Sequence, residues 1–284
     1  MRSTHDMMTT LLICCLLALP TTAVAAESRV QTRNLSFGVV PQQAPSKLLR
    51  SWKPVLKYLQ TQTGHRFIFR TAPDIPTFEQ RLQAGEYDFA YMNPYHFTVF
   101  NRGEEGYQAI AKAKDKRIQG ILVVHKDSSI KTLQDLDGHH LAFPAPGAFA
   151  ASVLPQIHLK NAGLMIEPEY VSSHDSVYKA VAEGFYPAGG GVIRTFKASP
   201  PDVRAQLRVL WTTPSYTPHA IAAHPRVGPE LRAAVQQALA AIDSDTRAPA
   251  LLERLKLKGF VVARNADWDD VRALHIDTKL GKGD

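Results

Sequence analysis

The residues best equipped to do chemistry fall in one short stretch, GEYDFAYMNPYHF (85–97), where Tyr91, Asn93, Tyr95 and His96 offer hydroxyls, an amide and an imidazole. DFAYM (88–92) lacks polar alternation, which predicts a short strand buried on both faces. Asn93-Pro94 ends it, because proline cannot donate to a ladder and disfavours the helical region in the residue before it. The polar groups are thereby delivered at the carboxyl end of a buried strand, the edge at which open α/β sheets bind ligands. Their chemistry is recognition of a small solute by hydrogen bonding and stacking. The other reading makes Tyr91 and Tyr95 core aromatics with satisfied hydroxyls, and this stretch alone leaves both open.

Two helix starts add to it. Pro146, Gly147, Ala148, Phe149 and Ala150 form a glycine turn ahead of helical N–H groups that lack intrahelical partners, and such groups attract an anion. In Ser172-Ser173-His174-Asp175-Ser176 a serine caps the next helix and Asp175 suits its dipole. That leaves His174 as a donor beside a strand's carboxyl end. Gln42 and Gln43 follow the first strand at the same edge. Arg194 follows the run Ala188-Gly189-Gly190-Gly191-Val192, where the glycines admit either a ligand or close backbone packing. A guanidinium there would clamp an oxyanion, although solvation is the commoner fate of an arginine.

Catalytic signatures are absent: there is no G-x-S-x-G elbow, no H-E-x-x-H and no phosphate-binding P-loop. His139, His140, His158, His219 and His224 fall on different elements and read as surface or satisfied histidines, so no metal site and no cofactor is expected. The net charge of +7 is spread without basic runs or aromatic interleaving, which argues against a nucleic-acid partner. Residues 1–25 read as a signal peptide: Arg2 precedes an apolar run at 11–19 too short to span a bilayer, and Ala23-Val24-Ala25 follows. Cys14 and Cys15 would leave with it, giving a mature chain without thiols in an oxidising compartment, the periplasm.

Strand and helix patterns alternate around these groups. LSFGVV (35–40), a helix over 47–59, FIFRTA (67–72), a helix from Phe78 and DFAYM predict a parallel sheet with covering helices. Strands at 107–113 and 120–126 precede a second α/β series: a strand at 141–143, a helix over 148–161 that Pro155 should kink or stop, a strand at 167–173 and a helix from His174. Strands at 207–213 and 219–225 and helices starting near Pro229 and Arg247 complete the chain. The expected fold is α/β and two-lobed, with residues 33–116 and 216–284 in lobe 1, 117–215 in lobe 2, and a two-strand hinge between.

LSFGVVPQQ, TAPDIPTFEQRLQAGEYDFAYMNPYHF, ILVVHKDSSIKTLQDLDGHHLAFPAPGAFAASVLP and VSSHDSVYKAVAEG, in that order, resemble the phosphate/phosphite/phosphonate-type periplasmic solute-binding proteins of ABC importers. The resemblance implies a type II periplasmic-binding-protein fold, a monomer that closes on a small anionic solute and presents it to a membrane permease. It implies ligand contacts at Gln42 and Gln43, at Tyr91, Asn93 and Tyr95, at Gly147, Ala148, Phe149 and Ala150, and at His174. In two respects the chain departs from the family: a hydroxyl-rich Ser-Thr-Ser turn is replaced by Ala148-Phe149-Ala150, and the acidic residue that would meet a ligand amine near the glycine run is missing. The same closed form would also suit a sensor subunit docking on a membrane histidine kinase. An enzyme on this fold of the porphobilinogen deaminase type needs a cysteine that the exported chain would not keep.

Overall fold

The computed structural model describes residues 32–276; the expected signal peptide and the last residues assigned to lobe 1, 277–284, lie outside them. β1 (Asn34–Val39), α1 (Pro45–Thr63), β2 (Arg66–Arg70), α2 (Ile75–Gln83) and β3 (Phe89–Met92) follow in turn, and β1 pairs in parallel with β2 and β3. α1 buries Leu48, Trp52, Val55, Leu56 and Leu59, a stripe at spacings of three and four that covers the sheet. Gly64 ends it at φ 71°, a conformation that costs other residues a Cβ clash. At Asn93 the strand not only stops. Its side chain accepts from the His96 amide (2.8 Å) and Pro94 takes the first helical position, so the same dipeptide opens α3 (Pro94–Phe100).

After β4 (Gln108–Ala113) the chain enters a five-stranded sheet. It comprises β5 (Ile121–His125), β6 (His140–Phe143), β7 (Glu167–Tyr170), β8 (Ala188–Gly191) and β9 (Leu207–Thr212), in the order β7-β6-β8-β5-β9. Its helices are α4 (Leu154–Asn161), α5 (His174–Ala182), α6 (Ile193–Ala198) and α7 (Pro201–Ala205). The chain then returns through β10 (Ala220–Ala223), α8 (Pro229–Ala241), α9 (Ala248–Leu252), β11 (Phe260–Val262) and α10 (Asp269–Arg272). The first sheet has six strands in the order β11-β4-β10-β3-β1-β2. Its parallel part is β2-β1-β3; β10 inserts antiparallel between β3 and β4, a pairing the local β-α-β pattern does not contain. The outgoing and returning segments between the sheets pair at Ile118 and Tyr216.

The helix predicted from Ala148 begins as a π turn, Phe149–Val153, before α4. The Val153 and Leu154 amides bond to the carbonyls five residues back, at Ala148 and Phe149. Pro155 explains the wide turn: it has no N–H and its ring needs room from the preceding turn's carbonyls. The carbonyls of Ala150 and Ala151 are then turned toward backbone, and a Cβ on Gly120 would collide with the first and one on Gly190 with the second. Gly189 packs on Val177 and Val181, and Gly191 on the Tyr178 ring. All of β8 is buried, so the glycine run serves close packing.

Gly190→Ala should therefore lower stability by about 1–3 kcal/mol or more through overpacking against Ala151 and Phe143. Urea unfolding measures this, and an unchanged midpoint would contradict the packing described.

Candidate functional site

Between the sheets lies a cleft of about 300 Å³. The β1–α1 loop supplies Gln42 and Gln43 to its wall, and the second sheet supplies His174 and Thr195. The loop is held by the Val40 amide donating to the Tyr91 carbonyl (3.0 Å) and the Gln42 amide to the Val40 carbonyl (2.9 Å). Arg194, in the first turn of α6, is exposed but reaches across: its Nη2 donates to Gln42 Oε1 at 2.9 Å. Gln42 Nε2 lies 2.9 Å from His219 Nε2, and the His219 ring stacks on Tyr91 with centroids 4.8 Å apart and planes 16° off parallel. Tyr91 rests its other contact on Trp52, centroids 4.7 Å apart.

His219 is buried, and an amide nitrogen can only donate, so its Nε2 accepts and the ring is neutral as placed. Its affinity for a proton agrees: burial above all, then Arg194 and His96, depress its pKa to about 3. His174 opens α5 beneath the Ser173 cap, whose hydroxyl accepts from the Ser176 amide (3.0 Å). Its Nδ1 lies 3.3 Å from Thr195 Oγ1, and burial followed by Arg194 lowers its pKa to about 4. Burial likewise raises that of Tyr91, with Arg194 opposing. The histidines and the tyrosine are thus uncharged near neutrality; the charged side chains here are Arg194 beside them and Lys47, Asp74 and Asp175 on the cleft walls.

The other predicted groups are placed differently. Asn93 spends its side chain on two contacts: it caps α3 and donates from Nδ2 to the Gly147 carbonyl at 2.9 Å, joining the two sheets. Tyr95, one turn into α3, is buried and lines a groove with Val99, Arg102 and Arg272 on the α10 side. Phe149 is only 1 % exposed and meets Tyr216 edge-on at 6.0 Å, inside an apolar cluster that also takes in Ala148 and Ala150. Gly147 faces α2, where a Cβ would strike Glu79. The structure thus gathers Gln42, Tyr91, His174 and Arg194 at one end, with Gln43 on the adjoining wall. Gly147 to Ala150 form the other end, against the first sheet.

Sequence reasoning passed over Glu79 and read His219 as a surface or satisfied histidine; His96 it placed with Tyr91, Asn93 and Tyr95 at the strand end. His219 read as an ordinary strand-end histidine; the pairing of Ala220 with Met92 sets it beside Tyr91. His96 is wholly buried, with Nε2 2.9 Å from Glu79 Oε1.

Two neutral buried histidines make stability fall with acid. The unfolded chain takes up protons below about pH 6.5 that the native rings accept only near 4 and 3. Each should cost up to about 1.4 kcal/mol per pH unit within that window. The urea midpoint should drop from pH 7 to pH 5, and less so in His219→Gln; equal midpoints at both pH values would refute this.

The family model for periplasmic substrate-binding proteins of phosphonate ABC transporters matches residues 37–268. The phosphate-import protein PhnD of Mycolicibacterium smegmatis is 23 % identical over 231 residues, covering 70 % of this chain and 68 % of that one. PhnD1 of Prochlorococcus marinus, solved with methylphosphonate, superposes with a TM-score of 0.76 at 18 % identity over 88 % of this chain and 99 % of that one. A binding component of a phosphonate ABC transporter from Pseudomonas aeruginosa gives 0.75 at 17 % identity, over 86 % of each. Both structures share the two-lobed α/β fold. With most of its length matched, the chain belongs to the phosphonate-type periplasmic substrate-binding proteins of ABC transporters.

Proposed function

We propose that the protein captures a small oxyanion of phosphate, phosphite or phosphonate type between its lobes and hands it to an ABC permease in the inner membrane, without chemical conversion. The observation that carries this reading is the Arg194–Gln42 bond across the cleft mouth, flanked by uncharged His174, His219 and Tyr91. A guanidinium beside neutral donors, partly shielded from water, suits an anion better than a neutral solute. The ligands in the names of the M. smegmatis and P. marinus proteins support the same class. The segments that pair at Ile118 and Tyr216 are the natural hinge, since they are where the chain passes between the sheets. Export precedes this role, and the mature N-terminus should be near Ala26 or Glu27 by mass spectrometry; an intact Met1 would refute processing.

Calorimetry with phosphate, phosphite, methylphosphonate, sulfate and small carboxylates tests the reading. At least one of the phosphorus oxyanions should bind and the carboxylates should not; a panel without binding would refute it. For the ligand that binds, His174→Ala should lose about 1.5–3 kcal/mol of affinity, the range for a hydrogen bond to a charged group. Wild-type affinity in that variant would remove His174 from the site.

A further inference from the structure

We propose that the outward face of α1 is a membrane-contact surface, which rests the first lobe on anionic phospholipid headgroups and keeps the protein at the bilayer that carries its permease. Spread thinly enough to leave no run, the excess charge of +7 nonetheless falls in one segment. Residues 32–73 hold seven Lys and Arg and no Asp or Glu, and the rest of the chain is balanced. All seven are exposed. The fold gathers four of them on α1. Arg50, Lys53 and Lys57, at spacings of three and four, form a row opposite the buried stripe, and Lys47 extends it by a turn toward the cleft.

Taken alone, this arrangement destabilises the helix. Like charges three or four positions apart repel, and Lys47 in the first turn opposes a dipole that favours acids there. None of the four side chains has an ion pair or hydrogen bond among the described residues to offset this. Beside α1, Asp245 is held by Arg247 at 2.6 Å, and Glu253 is followed by Arg254 and Lys256. A dense anionic surface is the counterpart that relieves the repulsion. Headgroups suit the face better than an acidic protein does. Protein interfaces are built round buried aromatic and arginine anchors and are poor in lysine. Here three of the four charges are lysines, the α1 aromatics Trp52 and Tyr58 are buried on the other side, and Leu49, 43 % exposed, is the large apolar contact. Attraction to anionic lipid needs only positive charge held close to the surface.

The test is sedimentation of the protein recovered from the periplasm with vesicles of phosphatidylcholine alone and of phosphatidylcholine mixed equally with phosphatidylglycerol. At low salt the mixed vesicles should bind it at least about tenfold more tightly, and the difference should vanish at about 1 M salt, where screening acts within about 3 Å. Arg50→Gln/Lys53→Gln/Lys57→Gln should bind the mixed vesicles about 100-fold more weakly than the wild type. Lys57→Gln alone should lose about fivefold, so the face is still tested if the triple variant is unstable. Lys116→Gln/Lys126→Gln/Lys160→Gln removes the same charge from exposed positions elsewhere and should bind like the wild type. No preference of the wild type for the mixed vesicles overturns the proposal. Equal loss in the two triple variants does so too, because net charge alone would then account for binding. Salt-sensitive binding to polyglutamate without binding to the mixed vesicles assigns the face to an acidic protein and likewise overturns it. Solute binding is read separately by calorimetry, so none of these outcomes bears on the oxyanion reading.

Discussion

Pro155 has no backbone N–H to give, and the geometry of the second lobe's cleft face follows from that lack. The turn before it widens to a π turn, which rotates the Ala150 and Ala151 carbonyls toward Gly120 and Gly190. Those contacts are possible because neither partner carries a Cβ, so the glycines of β8 and of the β5 approach are fixed by the same constraint. Ahead of the turn, Gly147 lies against α2.

Charge at the cleft follows from burial in the same chain of causes. Removing His174, His219 and Tyr91 from water penalises their charged forms, and Arg194 adds to that penalty for the two histidines while opposing it for the tyrosine. Arg194 itself stays exposed, so it keeps its charge at little desolvation cost and is anchored by the Gln42 carbonyl oxygen. Charge at the cleft therefore stays on exposed side chains, with neutral dipoles behind them, and no ion has to be buried.

Much of the fold was legible in the residues. The apolar strands, the α1 stripe, the Ser173 cap and the stop at Asn93-Pro94 are local patterns whose causes lie within a few residues. What lay beyond reach depended on pairing between distant segments. β10 gives no sign in its sequence that it inserts between β3 and β4, and only that register sets His219 beside Tyr91 and Gln42. Glu79 likewise reads as an ordinary helix surface residue until the second lobe's turn is packed against it. Tyr91 and Tyr95 were grouped in the sequence because both fall at the carboxyl end of one short strand. The strand ends between them, so Tyr91 meets His219 while Tyr95, one turn into α3, lines the groove beside α10.

A carrier must close on its ligand and still let it go, so contacts between lobes cannot be stabilising without limit. The apolar cluster around Phe149 draws in residues from both lobes and favours contact strongly. A polar atom at the same junction works against it: His96 Nδ1 is buried without a hydrogen-bond partner among the described residues. An unpaired buried group costs about 1–3 kcal/mol, which is comparable to burying one large apolar side chain. The two effects sit side by side at the junction of the sheets, so the contact that brings the lobes together also limits how firmly they hold.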